Sequence, residues 1–78
     1  MNSGKPVSTT YEVLDFSRDV LATGSDRAIV AKHALQNNRK RRFLMMCWFT
    51  NSEGHTQLAW CRRVERDRMK SLAVGAKS

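Results

Sequence analysis

Residues 41–64 read RRFLMMCWFT-NSEG-HTQLAWCRRV: two runs of β-favouring side chains on either side of a polar connector that contains a glycine. Such a pattern predicts an antiparallel hairpin. With Asn51–Gly54 as a four-residue loop, Thr50 faces His55. The pairs that follow are Phe49 with Thr56, Cys47 with Leu58, Met45 with Trp60, and Phe43 with Arg62. Side chains alternate across a strand, so Phe43, Met45, Cys47, Phe49, Leu58 and Trp60 share a core face. Leu44, Met46 and Trp48 share the other face with Gln57, Ala59 and Cys61. That second face is still partly apolar, so either a helix covers it or it meets a partner. Cys47 and Cys61 point to opposite sides, which disfavours a disulfide between them.

The same register gathers charge. Arg39, Lys40, Arg41 and Arg42 lead into the hairpin and Arg62 and Arg63 leave it, so antiparallel pairing brings both groups to its open end. Arg66, Arg68 and Lys70 continue outward from there. Residues 1–38 hold four basic and four acidic side chains and balance to zero. The whole net charge of +7 therefore lies in the second half of the chain. Mixing signs avoids repulsion on an ordinary surface, so this concentration points to an anionic partner: nucleic acid or an acidic protein surface. The aromatic residues near these arginines, Trp48 above all, suit an apolar anchor or a stacking platform for bases.

The apolar run Phe43–Phe49 is far shorter than the ~20 residues a membrane span needs, which excludes a spanning helix there. No secretory signal is read, and two cysteines are too few for a disulfide scaffold, so the expected location is the cytoplasm.

Upstream, DRAIVAKHALQN (26–37) predicts a helix, with Ser25 as the capping hydroxyl and Ala28, Ala31 and Leu35 along its buried stripe, which Ile29 and Val30 widen. Residues 9–16, TTYEVLDF, read two ways. Thr9, Thr10, Tyr11, Val13 and Phe16 fit a short edge strand. Thr9 and Glu12 also form a capping box, with Val13, Phe16, Val20 and Leu21 at helical spacing and Gly24 as the C-terminal cap. The second pattern tips the reading toward a helix over 10–22. Two such helices joined through Gly24 would resemble a helix-turn-helix, although the second helix lies in the charge-neutral half and offers little polar reach. Residues 65–72 predict a short charged helix, and residues 1–8 and 71–78 are expected to be disordered tails around a single domain at 9–70.

The predicted fold is α+β: one or two helices packed on a two- or three-stranded antiparallel sheet built around the hairpin of the C-terminal half. A chain of 78 residues buries a modest core and leaves little room for a catalytic pocket with its supporting shell. Cys47, His55, Cys61 and His33 lack the spacing of a metal site and the third group of a Cys/His nucleophile. The expectation is thus a non-enzymatic protein with no metal or cofactor.

In size, charge and the block RKRRFLMMCWF…LAWCRRVERDR, about half the chain resembles the small bacteriophage-encoded regulators that bind host RNA polymerase. The resemblance implies a monomeric protein in the host bacterial cytoplasm. Its partner would be RNA polymerase or another acidic protein surface, with nucleic acid close by. The candidate contact residues are Arg39, Lys40, Arg41, Arg42, Arg62, Arg63, Arg66, Arg68 and Trp48. Direct binding of DNA or RNA through the same arginines is the alternative.

Overall fold

The predicted hairpin is one half of a larger sheet. A computed structural model describes residues 6–37 and 39–75. Their elements, in chain order, are β1 (Pro6–Leu14), β2 (Val20–Gly24), α1 (Arg27–Asn37), β3 (Arg42–Asn51), β4 (Thr56–Glu65) and α2 (Arg66–Ala73). The strands form one four-stranded antiparallel sheet in the order β2-β1-β3-β4. Two ββα units thus meet along their first strands. The fold is α+β as expected, with more strands than the hairpin alone implied. Strand β1 begins at Pro6 and α2 ends at Ala73, so both ends of the folded unit extend beyond 9 and 70. The remainder of the expected tails, 1–5 and 76–78, lies outside the described residues.

Residues 10–22 are not a helix, and no helix-turn-helix exists in this part of the chain. Pairing with β3 decides the matter. It sets Val13 opposite Met45 and Tyr11 opposite Cys47, and it buries Val13 completely. No local pattern carries that information, because the partner strand lies about thirty residues away. The turn between β1 and β2 is built by Asp15. Its carboxylate accepts the N–H groups of Ser17 at 2.8 Å and Asp19 at 3.0 Å, and its carbonyl accepts that of Arg18 at 3.0 Å. Side-chain oxygens of this kind mimic a turn of backbone and compete with helix. Arg18 takes up the reversal in the left-handed region, with φ 71°. Gly24 caps no helix; it ends β2 opposite Tyr11. A Cβ on it would stand 3.1 Å from Cγ2 of Val30, so the missing side chain lets α1 lie close to the sheet.

Helix α1 starts one residue later than predicted. The Asp26 carboxylate, not the Ser25 hydroxyl, accepts the N–H groups of Ala28 at 2.9 Å and Ile29 at 3.2 Å. Of the expected stripe, Val30 and Ala31 are buried, Ala28, Ile29 and Leu35 are only partly so, and Ala34 completes the buried face. Both helices cover the same face of the sheet. Val13, Val30, Ala31, Ala34, Phe43, Met45, Val64 and Met69 form one core, with Met69 supplied by α2. Burying a side chain of the size of Phe43, Met45 or Met69 stabilises the fold by about 1.5–3 kcal/mol each.

The hairpin closes through Asn51, whose side-chain oxygen accepts the N–H groups of Glu53 at 2.9 Å and His55 at 3.0 Å. Thr50 pairs with Thr56, not His55. The observed register also shifts between Cys47 and Trp48, so that Trp48 faces Leu58 while Cys47 faces Trp60, Met45 faces Arg62 and Phe43 faces Val64. Ala59 is the extra residue of this bulge. The bulge turns Leu58 off the predicted core face, while Trp60, Arg62 and Val64 keep the face that alternation assigns them, and the shifted pairing sets Val64 rather than Arg62 opposite Phe43. Cys47 is buried, Cys61 is exposed, and both are free thiols. No helix among the described residues is long and apolar enough to cross a membrane.

Candidate partner-binding surface

Strand pairing brings the two basic segments together as expected. Arg42 lies opposite Glu65, and the N–H of Arg66 donates to the carbonyl of Arg41 at 2.7 Å. The side chains, however, divide among several tasks.

Arg66 is structural. Its guanidinium donates to the carbonyl oxygens of Lys40 at 3.1 Å and Leu35 at 3.2 Å. The latter belongs to the last turn of α1, where carbonyls lack helical partners. Arg66 is therefore a strut between α1, the link that follows it and α2. Lys40 faces the buried carboxylate of Asp15 at 3.8 Å. Arg42 and Glu65 approach to 4.0 Å at an exposed position, where an ion pair is worth little. Among the described residues, the side chains of Arg39, Arg41, Arg63 and Arg68 have no hydrogen-bond or ion-pair partner. Arg62 lies over the Trp60 ring, 5.1 Å from its centroid, in a cation–π contact.

Among the described residues no helix or second sheet packs on the sheet face away from α1 and α2. Its rows follow from the register: Val20–Leu14–Leu44–Arg63, then Thr23–Glu12–Met46–Cys61, then Thr10–Trp48–Leu58. An apolar band of Leu44, Met46, Trp48 and Leu58 thus runs across the middle of an uncovered sheet. Trp48 is half-buried, and its indole N–H donates to a carboxylate oxygen of Glu12 at 3.3 Å. That bond holds the ring in place while leaving part of it accessible. Leu58 is 45% exposed and Phe16 50% exposed. Phe16 stands beside Arg42, Arg63 and Glu65 in a groove of about 290 Å³ at the basic corner of this face.

A second groove, of about 260 Å³, lies on the helix side along the outer part of β4. Arg27, Arg62 and Arg68 line it together with Met45, Trp60 and Leu72, and Arg63 borders both grooves.

Strand β4 therefore separates two arginine-bearing surfaces, where the linear sequence suggested one patch. Among the described residues no group of three His, Cys, Asp or Glu side chains is placed to hold a metal ion.

No family model, curated protein or solved structure matches the chain. The functional reading therefore rests on the residues themselves.

Two residues of these surfaces escaped the sequence reading. Phe16 looked like part of a helical stripe, and only the β1–β2 turn exposes it. Arg27 was counted with the charge-neutral half, and only the packing of α1 against α2 brings it near Arg62 and Arg68. No spacing in the sequence signals either placement.

Proposed function

We propose that this protein is a small non-enzymatic transcription regulator that docks on an acidic protein surface through the uncovered face of its sheet and the basic corner beside it. The observation that carries this reading is the continuous band Leu44–Met46–Trp48–Leu58, which runs toward Arg63 and Arg42 on a face that no helix covers. Interfaces of this type place an apolar, partly held aromatic at the centre and charges at the rim. Trp48 is the central anchor. Arg42 and Arg63 supply the adjacent rim charges, and Arg39 and Arg41 lie on the neighbouring link. Arg66 leaves the contact set because its donors are used internally. The choice of bacterial RNA polymerase as the acidic partner rests on the likeness in size and charge to small phage regulators.

Binding to purified bacterial RNA polymerase, with and without nuclease treatment, tests this reading. The expected result is nuclease-resistant binding that weakens at least tenfold in Trp48→Ala, about 1.4 kcal/mol, and again in Arg42→Glu/Arg63→Glu. Its salt dependence should be shallow. Binding that disappears with nuclease, or falls as a steep power of salt with no effect of Trp48→Ala, identifies a direct nucleic-acid binder and overturns the polymerase reading.

A further inference from the structure

We infer that the helix-side groove along β4 is a nucleotide site, with Arg27, Arg62 and Arg68 receiving a phosphate group and the apolar floor receiving the attached base or sugar. This site is separate from the open sheet face and does not depend on what docks there.

Four arginines line a groove of about 260 Å³, and three of them, Arg27, Arg62 and Arg68, come from three elements, α1, β4 and α2. No carboxylate is among its lining residues in the described part of the chain. The acids next in sequence to Arg27 and Arg68 lie outside the groove: Asp26 caps α1, and the Asp67 side chain is exposed, 4.0 Å from Lys70. Arg27 and Arg68 have no side-chain hydrogen-bond or ion-pair partner among the described residues, and Arg62 is held only by its stacking on Trp60. Like charges gathered without counter-charges oppose folding, and a bound anion would remove that cost. Arginine presents a planar fork of donors that matches phosphate oxygens two at a time, so convergent arginines favour phosphate over a simple halide.

The floor adds the second half of the recognition. Met45, Trp60 and Leu72 line the groove beside the arginines. Trp60 is half-buried, with Tyr11 tilted against it at 6.3 Å between ring centroids and Arg62 over its ring. A phosphate alone has no use for this apolar surface, whereas a base or sugar does. The volume suits a single nucleotide unit. Such a unit comes either as a free mononucleotide or as the phosphorylated end of a single strand, and the chemistry at the groove is the same.

The chain has two tryptophans, so Trp48→Phe leaves Trp60 as the sole indole reporter. In that background, Trp60 emission is titrated with adenosine monophosphate, adenosine, inorganic phosphate, and a single-stranded oligonucleotide with and without a 5′-phosphate. The expected result is a saturable change with the monophosphate or the 5′-phosphorylated strand, at least tenfold weaker with adenosine, the unphosphorylated strand or inorganic phosphate. Saturation by the monophosphate assigns the site to free nucleotide. Saturation by the phosphorylated strand alone assigns it to strand ends. Arg27→Gln and Arg68→Gln should each weaken binding roughly tenfold, while Arg18→Gln/Lys32→Gln, which removes as much or more charge elsewhere, should not. Circular dichroism confirms that each variant is folded. Equal weakening by the control pair, equal affinity for inorganic phosphate, or no saturable response to any probe overturns the proposal. Because polymerase binding is read separately, either idea can fail alone.

Discussion

The guanidinium of Arg66 donates to the carbonyl oxygen of Leu35 at 3.2 Å, across thirty-one residues of chain. One side chain at the start of α2 thereby satisfies an otherwise unpaired carbonyl at the end of α1, and its second donor holds the link at Lys40. Arg66→Ala should lower stability by about 1–3 kcal/mol, because it removes the donor to the partly buried carbonyl of Leu35. Arg41→Ala, whose side chain has no such bond, should stay within about 0.5 kcal/mol. Urea denaturation of the two variants separates the strut from its exposed neighbour. Similar losses for both would show that Arg66 is as dispensable as any surface arginine.

Leu58 and Val64 test the bulge in the hairpin. Unbroken alternation back from Trp60 puts Leu58 on the core face beside Val64; the observed bulge turns Leu58 out, at 45% exposure, and leaves Val64 in the core at 8%. Val64→Ala should cost about 2 kcal/mol from lost burial and the space left behind. Leu58→Ala should cost under about 1 kcal/mol, since much of the side chain is already in water. Thermal unfolding curves give the order directly, and the reverse order would refute the shifted register.

Gly24 and Gly75 differ in what a methyl group would meet. At Gly24 a Cβ would stand 3.1 Å from the Val30 side chain, between β2 and α1; at Gly75 the nearest heavy atom is Ala28 Cβ at 3.9 Å. Gly24→Val should therefore destabilise by about 1–3 kcal/mol through forced separation of helix and sheet. Gly75→Ala should be within about 0.5 kcal/mol of wild type. Denaturant midpoints of the pair provide the check.

The two turns carry positive φ at a residue that tolerates it poorly and at one that tolerates it well. Arg18 has φ 71°, and Gly54 has φ 86° with open space around it. Arg18→Gly should relieve backbone strain and stabilise by about 0.5–1 kcal/mol, the gain being partly offset by the freer unfolded chain. Gly54→Ala should cost about 1 kcal/mol although its Cβ touches nothing. Calorimetry on both variants would show opposite signs of the shift in Tm. Equal signs would mean that local contacts, not backbone conformation, set the stability of these turns.

Much of the C-terminal half was legible because its signals are local. Alternating apolar residues on both sides of NSEG define a hairpin whatever surrounds it, and Asn51 supplies the turn from its own side chain. The charged segment after Glu65 becomes α2, and opposed placement of Cys47 and Cys61 follows from strand alternation. The N-terminal hairpin was not legible. TTYEVLDF satisfies a capping box and a strand equally well, and the deciding partner is β3, far away in sequence. A single bulged residue, Ala59, was likewise invisible, yet it turns Leu58 out of the core.

Composition, charge asymmetry and alternation by themselves determined that this chain builds a hairpin with arginines at its open end and carries its whole net charge in its second half. Only the tertiary structure decided which arginines are available and on which side. Adjacent residues of a strand point to opposite faces, so Arg62, stacked on Trp60, shares a groove with Arg27 and Arg68 while Arg63 joins Arg42 beside Phe16. Arg66, indistinguishable from them in sequence, is drawn inward because helix α1 ends in carbonyls that need a donor.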